Sequence, residues 1–248
     1  NFSEKLKIYE KPDELMSISL GSAETTLLKI TSAYSSFVNG GKLVEPILID
    51  RIQDSEGKTI FKNKLRFCDN CDLISYTGEN IPLIKNNYQQ IFSPQTAYQI
   101  TSILEGVVER GTGKKLRDLN LQLAGKTGTT NKNTDAWFVG FTSNLVIGVY
   151  VGYDNPRTLG KFETGSKTAL PIFKEFVKKA VNKYEARPFK VAKGIKMMVV
   201  DASNGKKADS NSKDTIIEAF KEEKIANNFK LGNDNNQNIS KNNILKFY

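Results

Sequence analysis

The sequence has no histidine at all and only two cysteines in 248 residues. Without an imidazole it cannot assemble a Ser-His-Asp triad or a Cys-His pair, and a zinc site mixing Cys with His loses half its ligands. Any proton transfer falls to Lys, Glu, Asp or Tyr. Long apolar runs are missing too. No stretch approaches the roughly 18 to 20 residues a membrane helix needs, and the opening Asn1-Phe2-Ser3-Glu4-Lys5 has neither an initiator Met nor an apolar signal core. The start therefore reads as that of an internal or C-terminal piece. Arginine is scarce: the 36 basic residues, set against 27 acidic ones for a net charge of +9, are mostly scattered lysines. Such a charge permits an anionic partner without selecting one.

What is present suffices for a packed core, at 39% hydrophobic residues. Thr26 is placed to cap a helix in which Leu27, Ile30, Tyr34, Phe37 and Val38 recur at helical spacing until Asn39-Gly40-Gly41 stops it. Asp54-Ser55-Glu56-Gly57 reads as a hairpin turn. Residues 62–90 are polar and irregular and are expected as a surface insertion. Ser93-Pro94 opens a second helix with the stripe Ala97, Ile100, Leu104, Val107 and Val108, followed by a short basic helical turn at 114–119. Three strand-like runs, at about 121–130, 135–142 and 145–153, are joined by links short enough to require antiparallel hairpins. A helix near 167–184 would cover one sheet face. The fold class is α+β, an antiparallel sheet with covering helices, over a domain of residues 1–200. Beyond it, 10 of the last 48 residues are Asn, so 201–248 is expected to be a mostly disordered tail in which 216–220 forms a transient helix.

The chemistry concentrates in Lys126-Thr127-Gly128-Thr129-Thr130. Strand alternation puts Lys126 and Gly128 on one side and Thr127 and Thr129 on the other, and twist at a sheet edge lets both reach one groove. A cation, two hydroxyls and a glycine that admits a close backbone suit a carboxylate on an extended ligand. An ordinary exposed strand rich in Lys and Thr is the competing reading. A phosphate loop is not, because position 120 is Asn where the first glycine should stand, and no helix pattern opens after Lys126. Trp137, Phe138 and Phe141 read as sheet packing and Asp135 as a solvent-facing turn residue.

The run AGKTGTTNKNTDAWFVGFTSNLVIGVYVGYDNP, preceded by SPQTAYQITSILEGVVERGTG, resembles the transpeptidase domain of class A penicillin-binding proteins. The likeness extends over roughly residues 17–205. It implies a partial penicillin-binding, β-lactamase-like fold and a serine DD-transpeptidase that cross-links peptidoglycan stem peptides and binds β-lactams, with no cofactor and no metal. Lys126 would hold and polarise the site, Thr127 and Thr129 would bind the terminal carboxylate of a D-Ala-D-Ala stem peptide, Gly128 would let it approach, and the Thr129 N–H would be one oxyanion donor. Action on the periplasmic side of the inner membrane is implied too.

That family builds its site from Ser-x-x-Lys, Ser-x-Asn and Lys-Thr-Gly. Ser-x-x-Lys occurs at Ser55/Lys58, Ser203/Lys206 and Ser210/Lys213, about the two matches that chance gives for 17 serines in a lysine-rich chain, and none opens an expected helix. Ser240-Lys241-Asn242 follows Lys126, where the family order needs it before. The chain is thus expected to lack the nucleophile, to depend on a missing N-terminal part of the same protein, and to be inactive alone. Thr164-Gly165-Ser166 stands where the family has Thr-Gly-Gly.

Cys68-Asp69-Asn70-Cys71 admits a redox pair, half a metal site or a local disulfide. Two cysteines cannot complete a zinc site here, and no thioredoxin-like βαβ setting surrounds them, so a structural disulfide is preferred. Two other functions compete with the enzyme: a non-catalytic remnant that binds cell wall or protein, and a basic nucleic-acid-binding protein, for which no recognition motif is visible.

Overall fold

A computed structural model describes residues 2–12, 15–63, 66–69, 83–86, 88–180, 187–223 and 225. In chain order it contains α1 (Phe2–Lys5), α2 (Leu27–Val38), β1 (Arg51–Gln53), β2 (Thr59–Lys62), β3 (Arg66–Asp69), β4 (Leu83–Asn86) and α3 (Pro94–Glu109). There follow β5 (Ala124–Thr129), β6 (Ala136–Phe141), β7 (Val146–Val151), α4 (Ala169–Ala180), β8 (Ile195–Asp201) and β9 (Thr215–Lys221). A 3-10 helix, Lys114–Leu119, links α3 to β5.

The helix starts are chemically specified. Thr26 accepts a hydrogen bond from the Lys29 N–H at 3.2 Å, and Ser93 accepts one from Thr96 N–H at 3.2 Å with Pro94 in the first turn, where no N–H is needed. After α2 the chain turns at Gly41, whose φ of 85° favours glycine; a Cβ there would lie 2.1 Å from the Phe92 carbonyl oxygen.

The central sheet is antiparallel in the order β5-β6-β7, with Lys126 opposite Val139, Thr127 opposite Phe138, Gly128 opposite Trp137 and Thr129 opposite Ala136. Phe138 and Phe141, three residues apart on β6, serve opposite faces. Phe138 meets Phe173 of α4 at a ring-centroid distance of 4.7 Å in one core with Leu116, Leu123 and Leu170. Phe141 meets Tyr34 of α2 and Phe189 in a second core with Leu104 of α3. The result is a helix–sheet–helix sandwich, the α+β arrangement expected from the sequence.

Two expectations need correction. Residues 62–90 are not irregular throughout: β3 and β4 pair antiparallel, Cys68 opposite Ile84. The composition-based tail fails over 201–221, where β9 pairs with β8 in full register from Ile195 opposite Lys221 to Asp201 opposite Thr215. The expected helix at 216–220 is this strand. Thr215, Ile216 and Ile217 are β-branched and find β-branched Val199 and Val200 across the ladder, which outweighs the weak helical tendency of Glu218 and Ala219. The boundary set at residue 200 cuts this hairpin, while residues 226–248 lie outside the described part.

Candidate active-site strand

Strand β5 is paired only with β6, so among the described residues its other edge is free. The N–H of Thr130 donates to Asp135 O at 3.2 Å across the turn. Backbone direction alternates along an antiparallel strand, which sends the N–H groups of Thr129 and Thr127 to the free edge. The Lys126 side chain leaves the opposite sheet face from Thr127 and Thr129, yet its Nζ donates to the Thr127 carbonyl at 2.9 Å. The ammonium is thus brought around the strand to the same edge that carries the outward N–H groups. Lys126 and Thr129 are exposed; Thr127 and Gly128 are half-buried.

Two neighbours bracket the hydroxyls. Thr127 Oγ1 lies 3.1 Å from Thr112 Oγ1, just beyond the C-terminus of α3. Thr129 Oγ1 accepts the Gly165 N–H at 3.1 Å, which leaves the hydroxyl hydrogen available to a ligand. Gly165 lies flat against the strand: a Cβ there would stand 2.3 Å from Trp137 O and 2.6 Å from Gly128 O. The loop 160–168 that contains it is therefore held to β5 by backbone contact. Ser166, in place of a second glycine, hydrogen-bonds Thr164 at 3.0 Å and leaves this contact intact.

The turn after β5 is more than solvent-facing. Asp135 N–H donates to Thr130 Oγ1 at 2.9 Å, and its carboxylate accepts from Tyr150 Oη at 2.8 Å. That bond holds the Tyr150 hydroxyl above its ordinary pKa. Gly152 makes room for the pair, since a Cβ there would lie 2.2 Å from Tyr150 Oη. Thr112, Gly165 and Tyr150 were not singled out as site residues in the sequence; only small residues at 111–113 and 164–166 hinted that two chain segments approach β5.

Other expected features fall elsewhere. Ser55/Lys58 spans the β1–β2 turn, and Ser203 donates to Asp201 at 2.5 Å in a turn after β8, so neither serine opens a helix. Ser210/Lys213 lies in the turn before β9. Ser240-Lys241-Asn242 and Cys71 lie outside the described residues. Among the described residues no group of His, Cys, Asp and Glu could hold a metal, and no helix is long and apolar enough to cross a membrane.

An antiparallel sheet clasped between helices thus carries Lys-Thr-Gly on the edge of β5 left unpaired among the described residues. The family model described as the penicillin binding protein transpeptidase domain matches residues 9–178, and the chain belongs to that family. It is 43% identical over 216 residues to penicillin-binding protein 1A of Rickettsia prowazekii (strain Madrid E), covering 86% of this chain and 27% of that protein. Penicillin-binding protein 1A of Neisseria flavescens is 38% identical over 189 residues, covering 75% and 22%. The crystal structure of penicillin-binding protein 1A from Haemophilus influenzae superposes with a TM-score of 0.72 at 28% identity, over 88% of this chain and 35% of that one. The chain spans roughly a quarter of the length of the curated relatives it matches.

Proposed function

We propose that this chain is the C-terminal part of the transpeptidase domain of a serine DD-transpeptidase. The reaction is acyl transfer: the serine attacks the carbonyl between two D-Ala residues of a stem peptide, the terminal D-Ala leaves as its amine, and an amine of a neighbouring peptidoglycan strand then displaces the serine ester. The observation that carries this reading is the free edge of β5, where the Lys126 ammonium, the outward Thr129 N–H and the available Thr129 hydroxyl meet. Lys126 polarises the site, Thr127 and Thr129 bind the terminal carboxylate of the peptide or the equivalent group of a β-lactam, and Gly128 with Gly165 keeps the strand flat enough for an extended ligand. The Thr129 N–H donates to the developing oxyanion, a contribution worth about 2.7 to 4 kcal/mol per donor. The nucleophile comes from a part of the protein beyond these residues, because no Ser-x-x-Lys here stands at a helix start. The work is done outside the cytoplasmic membrane, where the peptidoglycan is, without cofactor or metal.

The test is acylation by a fluorescent penicillin. The 248-residue chain alone forms no heat-stable adduct. In a protein joining it to Ser-x-x-Lys and Ser-x-Asn segments, Lys126→Ala lowers the acylation rate by at least about a hundredfold, of the order of one lost oxyanion-type contact. Lys132→Ala, in the exposed turn after the strand, changes it less than about twofold. Equal, small effects at the two lysines would reduce β5 to an ordinary basic strand.

A further inference from the structure

The Gly111-Thr112-Gly113 step after α3 has no part in the acyl-transfer reading, yet its geometry is closely specified. The Val107 carbonyl accepts both the Gly111 N–H at 3.1 Å and the Gly113 N–H at 2.9 Å. A Cβ on Gly111 would stand 2.9 Å from Val107 Cα, and one on Gly113 3.1 Å from the Val107 oxygen, so both glycines lie hard against the last turn of α3. The Leu116 N–H then donates to Gly113 O at 2.9 Å, and Leu116 is fully buried. Pinned on both flanks, the exposed Thr112 is carried out to β5, where its Oγ1 meets Thr127 Oγ1 at 3.1 Å.

The two hydroxyls that the proposed reading gives to the ligand carboxylate thus each have one neighbour behind them, and the neighbours differ in kind. Thr129 Oγ1 has the Gly165 N–H, which can only donate, so the Thr129 hydrogen is free to point forward. Thr127 Oγ1 has a hydroxyl, and in that pair either oxygen can be the donor. Among the described residues no other hydrogen bond reaches Thr127 Oγ1. Once Thr127 gives its hydrogen to a carboxylate, its half-buried oxygen needs a donor, and Thr112 is the group placed to turn a hydrogen onto it. Two parallel chains then reach one carboxylate, from the Gly165 N–H through Thr129 and from Thr112 through Thr127, each polarised along its length.

We infer that Thr112 is a positioning residue for acyl transfer: it donates to Thr127 and so aims the Thr127 hydroxyl at the terminal carboxylate of the stem peptide or the equivalent group of a β-lactam. The inference rests on the acyl-transfer reading of β5. Because Thr112 acts through Thr127, its loss weakens binding of a ligand that carries the carboxylate and spares one in which that charge is masked, since hydrogen bonds to an ionised acceptor are the stronger ones. An exposed hydroxyl pair nets little for the fold, because water replaces either partner, so the same loss leaves stability unchanged.

The experiment measures acylation by benzylpenicillin and by its methyl ester in the joined protein that carries the Ser-x-x-Lys and Ser-x-Asn segments. Thr112→Val keeps the shape and removes the hydroxyl; it lowers the second-order acylation constant for benzylpenicillin about three- to tenfold, through weaker binding before the chemical step. For the ester the constant falls less than about twofold. Thr112→Ser restores the donor and recovers the benzylpenicillin constant to within about twofold of the unsubstituted protein. In a Thr127→Val background, Thr112→Val has a further effect of less than about twofold. Should Thr112→Val lower the urea midpoint, Thr112→Ala is measured in its place against the same Thr112→Ser rescue. Lys126→Ala, measured alongside, separates the two claims. A loss of about a hundredfold there with no loss at Thr112→Val overturns the inference and keeps the reading of β5, whereas no loss at Lys126→Ala removes both. Equal losses for penicillin and ester, no rescue by Thr112→Ser, or an undiminished loss in the Thr127→Val background would each show Thr112 acting on the fold or directly on the ligand, and would overturn the assignment.

Discussion

The central sheet and the β8–β9 hairpin share a wall, helix α3, but are held to it by different forces. Against the sheet, α3 contributes Leu104 and Val108 to cores that contain Phe138, Phe141 and Phe173, all at zero exposure. Against the hairpin it contributes polar groups. Gln99 donates to Ala219 O at 2.9 Å, Gln95 to Lys193 O at 2.7 Å, and Thr96 accepts from Lys221 Nζ at 2.8 Å. The hairpin leaves Met197, Val199 and Ile217 exposed. Burial of apolar area is the larger and less directional force, while each hydrogen bond nets about 1 kcal/mol. Strand β5 is therefore mounted on the stiffer of the two regions, and the family match, which ends at residue 178, stops before the other begins.

The sharpest way to break this comparison is to empty the sheet's core. Phe173→Ala removes the ring that fills the space beside Phe138 and over Gly140, where a Cβ would already stand 2.7 Å from the Phe173 ring. It should cost about 3 to 5 kcal/mol in urea denaturation. Val200→Ala, the deepest truncation available in the hairpin, should cost about 1.5 kcal/mol, two methylene equivalents. A hairpin truncation as costly as the core one would mean that the two regions form one cooperative core.

The same difference decided what could be read beforehand. Alternation of Trp137, Phe138, Val139 and Phe141 and of Val146 to Val151 marks strands because each faces a thick apolar layer, and Thr26 and Ser93 mark helix starts through their own hydroxyls. Lys126 to Thr129 were legible as part of an edge strand for the same local reason. β9 was not. Its sequence is short and flanked by Asn and Lys, and what makes it a strand is a partner some twenty residues earlier plus polar contacts to α3, neither of which leaves a local period. Thr112 and Gly165 were missed likewise, because their approach to β5 is purely tertiary.

A second, smaller effect tests the shared wall itself. Glu105 on α3 is half-buried, and burial, reinforced by Glu109 and opposed by Arg110, raises its pKa from 4.5 to about 7. The folded state then binds more protons than the unfolded one between these values, so stability falls as pH rises through that window and the loss is complete above pH 7. Glu105→Gln should remove that slope and stabilise the protein at pH 8 by about 2 kcal/mol, partial exposure allowed for. Denaturation midpoints at pH 5 and 8 measure it. An unchanged slope in the variant would show that α3 is more open to water at this position than the sheet-side packing implies.

The smallest effect is the most diagnostic of how the hairpin is held. Arg110 donates to Glu218 at 2.6 Å, linking the end of α3 to the middle of β9, with the two side chains 45% and 24% exposed. The geometry is good, but water reaches the guanidinium, so a double-mutant cycle with Arg110→Ala and Glu218→Ala should give a coupling of only about 0.5 to 1 kcal/mol, shrinking in high salt. Arg110 also closes over Gly106, where a Cβ would lie 2.8 Å from its guanidinium carbon, so Arg110→Ala loses packing as well and should cost more than Glu218→Ala. That asymmetry is a prediction of its own. If instead the coupling exceeded about 2 kcal/mol and ignored salt, the pair would be acting as a desolvated clasp, and the hairpin would belong to the same rigid body as the strand that carries Lys126.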